Sequence, residues 1–360
     1  MLFPYTYVPH KMENMQAFID FIFYEVWCKA PVGLVFHPDL FDANTELKEL
    51  MVNFGFSTQA AERGKSFYKD VKAIYNLFAP LSSQEVDQFK KWYQGNNDIE
   101  KVCANEPVIQ LLRYKDAITS HPALGKQLAL FFRGLYDSSL LNLSAIKEKI
   151  GTIKDHNKKF FEANKAGKCP FCGISDLKGV HHTRREAYDH YLPKYRYPFN
   201  SINFRNLAPA CNECNSTYKL SKDPVHNSIG RRKAFNPFST SSYTIQLQVN
   251  LQHADIDNLK EKDIELKFGP AVLSEEIDTW KDVYGIEERY KAKLFGENDG
   301  KAWLEQVFIE CQGYNKKPKE ILAMRVKQAQ AQPYADCNFL RSPFLQACQN
   351  LGLFSGTGQP

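Results

Sequence analysis

Four of the nine cysteines form two Cys-x-x-Cys pairs, Cys169/Cys172 and Cys211/Cys214, with 38 residues between them. In Cys169-Pro-Phe-Cys172-Gly173 two thiols share a tight turn, and Gly173 supplies a left-handed backbone at its end. Four thiolates from two such knuckles close a tetrahedral centre with no open position, the structural kind of Zn2+ site. A single pair would also fit redox chemistry; two pairs point to zinc. The other five cysteines (Cys28, Cys103, Cys311, Cys337, Cys348) share no spacing and read as small buried hydrophobes. An odd total with no export signal argues against a disulfide framework. His181 and His182 lie between the knuckles and, with four cysteines at hand, read as loop residues.

Between the pairs runs Tyr188-Asp-His-Tyr-Leu-Pro-Lys194. Asn206 follows His190 by sixteen residues, and Asn215 comes nine later, directly after Cys214. An Asp-His pair alone is common as a buried hydrogen-bonded pair in any fold. Framed by both knuckles over 169–222, the order and spacing resemble the HNH family of ββα-metal nucleases. The form is HNN, with Asn215 at the third signature position where the family name expects histidine.

The resemblance implies hydrolysis of phosphodiester bonds in DNA. That reaction needs an activated water, a Lewis acid on the scissile phosphate and relief of charge on the leaving oxygen. His190 is then expected as the general base, a role that suits a neutral imidazole. Asp189 and Asn215 are expected to offer oxygens to Mg2+ or another hard divalent ion. Asn206 is expected to brace the loop that aims His190. On this reading Asp189→Ala stays folded but inactive, whereas replacing Cys172 destabilises the fold. The arrangement is also similar to HNH effectors of bacterial anti-phage systems of the Zorya and Septu types, which adds other defence proteins as expected partners. RNA stays open beside DNA, because the chemistry does not need the 2′-hydroxyl. A reading from another class stays open too: a non-catalytic zinc module binding nucleic acid or a protein, which has no use for Asp189, His190 and Asn215 together.

Charge supports a polyanion partner. Residues 165–240 hold 13 Lys/Arg against 5 Asp/Glu, so this segment carries all of the chain's net +5 and more. Lys219, Lys194, Arg205 and Arg185 are the candidate nucleic-acid contacts, with Lys219 foremost as a phosphate clamp because it lies one turn after Asn215. Arg184, Arg196 and Arg231-Arg-Lys233 flank them. Tyr191, Tyr195 and Tyr197 are divided between base stacking and core packing.

Positioning these groups falls to the elements around them. The chain has 360 residues, 43% apolar and 24% charged, as expected of a globular protein of two or three domains. Apolar residues recur at helical spacing over 12–27, 46–54, 58–78, 83–93, 109–118, 123–135 and 144–164. The lysines of 146–168 read as a solubilising face. Residues 243–249 and 263–268 alternate with period two and predict an antiparallel strand pair, before helices resume at 277–284 and 287–295. The expected fold is mainly α with a small α+β part. Its expected domains are 1–164 helical, 165–240 the nuclease module with its four-cysteine zinc site, and 241–360 a C-terminal α+β region. The end, 355–360, reads as frayed. No run approaches the roughly 20 apolar residues that span a bilayer, and Met1-Leu-Phe-Pro4 does not read as an export signal. A cytoplasmic location is therefore expected.

Overall fold

Apolar stripes at helical spacing dominate the chain, and the molecule is mainly helical, with two small sheets. The computed structural model describes residues 1–136 and 138–354; 355–360 lie outside them. The stretch read as helical from residue 12 forms Asn14–Phe21 and continues as a wider π turn, Ile22–Trp27. Trp27 and Phe23 are fully buried there, the indole N–H donating to the Val71 carbonyl at 3.0 Å. Helices Thr45–Phe56, Glu62–Phe78, Ser83–Asn97 and Pro122–Leu135 complete this layer. The fourth expected helix starts at Ser83 as its sequence implied and runs on to Asn97, with Ser82 and Glu85 closing a reciprocal capping box. Residues 109–113 stay outside the helix that follows, Tyr114–Ser120.

The single helix expected over 144–164 is two, Ser144–Ile150 and Ile153–Ala163. Gly151 takes φ +75° and Thr152 caps the second helix by accepting from the Asp155 N–H, so the break is written in the pair Gly-Thr.

Strands β1 (Ala187–His190) and β2 (Leu207–Ala210) pair antiparallel, Asp189 opposite Ala208 and His190 opposite Leu207. Strands β3 (Gln246–Leu251) and β4 (Ile264–Gly269) form the second antiparallel pair, Val249 opposite Leu266, as the alternation predicts. Helices Ser274–Tyr284 and Ile286–Phe295 follow, joined at Gly285 in a left-handed conformation.

Two hydrophobic cores result, and they run across the expected domain boundaries. One holds the N-terminal helices and takes in Tyr188, Phe199, Ile202, Phe204 and Leu207 from the central segment. The other surrounds the cysteine pairs with Trp280, Tyr284 and Tyr290, and recruits Met1, Leu2, Tyr5 and Phe160 from far earlier in the chain. The β1–β2 hairpin is the seam: Leu207 packs into the first core, while Ala208 and Ala210 pack into the second.

Candidate functional site

The four sulfurs are assembled. Cys169, Cys172, Cys211 and Cys214 are buried, with all Sγ atoms within 4.8 Å of one another. Cys172 Sγ and Cys211 Sγ are 3.9 Å apart, close to the ~3.8 Å edge of a tetrahedron with metal–sulfur bonds of about 2.3 Å. These sulfurs are thus placed to bind a metal ion such as zinc. The first knuckle turns as its sequence requires: Gly173 N–H donates to the Cys169 carbonyl at 2.7 Å with φ +70°. A side chain at Gly173 would strike Leu2 and Phe339.

Elements of the C-terminal region hold the knuckles. Trp280 Nε1 donates to the Phe171 carbonyl at 2.6 Å, and Tyr290 Oη to the Cys172 carbonyl at 2.9 Å. Arg289, itself buried, donates to Cys214 Sγ at 3.3 Å. Hydrogen bonding from the neighbouring cysteines, with the Arg289 guanidinium adding to it, holds the Cys172 thiol well below its ordinary value. A guanidinium on a sulfur tetrad offsets the negative charge that four thiolates and one divalent cation leave over.

From this anchor the chain runs into the strand pair. Fully buried Asn206 ties the loop 191–206 shut: Oδ1 accepts from Leu192 N–H at 2.7 Å, and Nδ2 donates to the carbonyls of Leu192 at 3.1 Å and Asn200 at 3.3 Å. A side-chain amide replaces the hydrogen bonds a longer hairpin would make, so His190 leaves β1 in a fixed direction.

Asp189 and His190 face different neighbours, as consecutive strand residues must. Asp189 is buried, and its Oδ1 accepts from Lys219 Nζ at 2.9 Å. Its Oδ2 is buried with no partner. Burial pushes its carboxyl up while Lys219 pulls it back. The His190 ring lies edge-to-face on Tyr136, centroids 4.8 Å apart. Its Nε2 is 2.9 Å from the Ser201 carbonyl, which only accepts, so Nε2 carries the proton and Nδ1 holds the lone pair. Burial, with the charges of Lys194 and Lys219, lowers its pKa to about 3, against the Ser201 bond that raises it; the ring is neutral at physiological pH.

Lys219 connects the two. Its ammonium bonds Asp189 Oδ1 and the His190 carbonyl, both at 2.9 Å, and is 1% exposed. It ends the short π turn Glu213–Lys219, which begins at the second knuckle and carries Asn215, half-buried, four residues earlier. In a turn closed by the Leu220 N–H to Asn215 carbonyl bond, residues four apart share a face. Asp189 and Lys219 are therefore brought together on one side of β1, while the His190 ring turns to Tyr136. Convergence of all three signature side chains on one point was expected; the strand's alternation gives two faces bridged by a lysine.

That burial corrects the reading of Lys219 as a phosphate clamp. Its ammonium is turned to β1, so its charge is spent on Asp189 and does not reach solvent. Arg185 and Arg205 are exposed and Lys194 is half-buried. Arg185 lies over the Tyr188 ring at 5.4 Å and Arg205 over Tyr7 at 4.2 Å. Arg231 instead binds the carbonyls of Glu106 and Ile109, and Arg232 binds Asp282, so this cluster is structural. Tyr191 and Tyr197 are core residues; Tyr195 is exposed. Sequence reasoning did not reach Tyr136, Ser201 or Arg289, each distant in the chain from what it touches.

Comparison with known proteins adds little to this geometry. No family model matches the chain, and no solved structure matches it. The chain is 34% identical over 101 residues to protein ea31 of Escherichia phage lambda, a match spanning 24% of this chain and 31% of that protein.

Proposed function

We propose that the chain is a metal-dependent endonuclease of the HNH type, hydrolysing phosphodiester bonds in DNA. The observation that carries the reading is the buried Asp189 Oδ2, a carboxylate oxygen with no partner, at the end of a strand clamped by a sulfur tetrad. A buried polar atom left unpaired in so ordered a setting asks for an ion or water. Hard oxygen donors from Asp189 and Asn215 fit Mg2+, and the sulfurs fit Zn2+. When bound, the divalent ion would polarise the scissile phosphate and offset charge on the leaving oxygen.

This chain's own residues supply the rest. His190, fixed through Nε2–H on Ser201, offers Nδ1 to take the proton of the attacking water. Asn206 keeps the loop closed behind it, and Lys219 favours the charged form of Asp189 against the burial that raises its carboxyl. Products with 5′-phosphate and 3′-hydroxyl ends, a restrained activity triggered within anti-phage defence and defence-protein partners follow from the family resemblance, and a cytoplasmic setting from the reading of the sequence for spans and export signals. Among the described residues no helix is long and apolar enough to cross a membrane.

A second reading has its own support. The Lys219–Asp189 pair is what a purely structural buried ion pair looks like, and a non-catalytic zinc module needs nothing more. Supercoiled plasmid separates the two. Wild type with Mg2+ should give nicked or linear product, and His190→Ala or omission of Mg2+ should not. Equal conversion by wild type and His190→Ala would end the enzyme reading. Structured RNA offered in parallel decides between the substrates.

A further inference from the structure

The lysines of the helix Ile153–Ala163 read, in sequence, as a solvated face. The structure gives two of them a different setting. Lys154 and Lys158, one turn apart and exposed, form one wall of a groove of about 640 Å3; the loop before β1 forms the other, with His182, Arg184 and Arg185. The acidic side chains in the lining are engaged. Asp155 accepts from the Thr152 hydroxyl at 2.7 Å, and Glu186, buried, accepts from the Lys178 N–H at 3.2 Å. The groove thus presents four permanent cations against one buried carboxylate, Glu186, and one exposed carboxylate, Asp155, which is held by its helix cap.

One further feature points to a bound polymer. The groove leads to the candidate site: Arg185 lies over Tyr188 of β1, two residues before His190, and its charge bears on Tyr136, whose ring packs on that of His190.

We infer that this groove seats the sugar–phosphate backbone of the nucleic acid, with Lys154 and Lys158 on one side of the strand and Arg184 and Arg185 on the other. Cations two abreast along a cleft match a chain of phosphodiesters, each of which carries one charge and releases counterions when neutralised. The inference deepens the nuclease reading and depends on it only for the link to His190. Binding is therefore measured apart from cutting.

The test uses the full chain carrying His190→Ala, zinc retained and no Mg2+ added, titrated with fluorescent duplex DNA and with RNA of equal length across a salt series. Lys154→Gln/Lys158→Gln should bind about tenfold more weakly at low salt, with a salt slope shallower by roughly two, while melting with its parent. Arg184→Gln/Arg185→Gln, on the opposite wall, should match it. Lys69→Gln/Lys72→Gln, exposed residues of helix Glu62–Phe78 outside the groove, should bind like the parent. Parental affinity in both groove variants, or an equal loss in the Lys69/Lys72 control, would overturn the inference. Loss of plasmid cutting with groove-dependent binding intact would instead count against the nuclease reading alone.

Discussion

The sulfur tetrad and the Asp189–Lys219 pair lie at opposite ends of one short helical turn, yet they hold buried charge in opposite ways. At the tetrad every neighbour is committed: Trp280 and Tyr290 bond the knuckle carbonyls, and Arg289 bonds a sulfur. At Asp189 one oxygen is paired and the other is not. The tetrad is closed and can only stabilise; the carboxylate has capacity to spare and can receive something. Four clustered sulfurs fit a metal-held scaffold, and on the proposed reading the unpaired buried oxygen is where a second ion would bind.

The largest effect that would break this comparison is at the tetrad. Cys172→Ser should cost on the order of 5 kcal/mol or more, because the binding energy of a structural metal is folding energy. Thermal melting with and without a zinc chelator checks it. A Cys172→Ser protein that melts with wild type would mean that no metal clamps the knuckles.

Next comes the pair. Lys219→Met should destabilise by about 3–5 kcal/mol, since it leaves a carboxylate buried and alone, and Asp189→Asn combined with Lys219→Met should recover most of the loss. The same argument revises the expectation that Asp189→Ala stays folded: it would strand an ammonium that is 1% exposed. Urea unfolding of the two singles and the double measures the coupling. Additive losses would show that the lysine and the carboxylate do not depend on each other.

The smallest effect sharpens the seam between the cores. His156 is buried and shares a hydrogen bond of 2.7 Å between its Nδ1 and Tyr188 Oη, linking helix Ile153–Ala163 to β1. Burial, then the charges of His10 and Lys159, lowers its pKa to about 4. The unfolded chain takes up a proton near pH 6.5, whereas the folded one does so only near pH 4. Stability from this group is thus complete above pH 6.5 and falls by up to about 1.4 kcal/mol per pH unit as the pH drops from 6.5 to 4. His156→Gln should flatten that part of the pH–stability curve; an unchanged slope would remove His156 from the account.

What the sequence made legible follows from locality. The β3–β4 pair was readable because period-two alternation is a local signal, and both knuckles because their spacing is. The break at Gly151-Thr152 was also written locally, in a glycine and a capping threonine that the helical periodicity on either side masked. The partner of Asp189 was not readable, because Lys219 lies 30 residues away and the turn that delivers it is a π turn. The same four-residue spacing that put Lys219 beside Asn215 served equally for a solvent-facing clamp; only the packing of that face on β1 decides. The groove wall from Lys154 and Lys158 was hidden for the same reason, since nothing in a solvated lysine pattern says what stands opposite.

The most direct test of the central claim, that Asp189 has room for a cation, is Mn2+ binding followed by electron paramagnetic resonance, with Mn2+ as a probe for the hard divalent site. Wild type with its zinc in place should bind one Mn2+, and the charge-balanced Asp189→Asn/Lys219→Met protein should bind it at least tenfold more weakly while melting within a few degrees of wild type. Equal Mn2+ affinity in the two proteins, or no binding by wild type, would contradict the account.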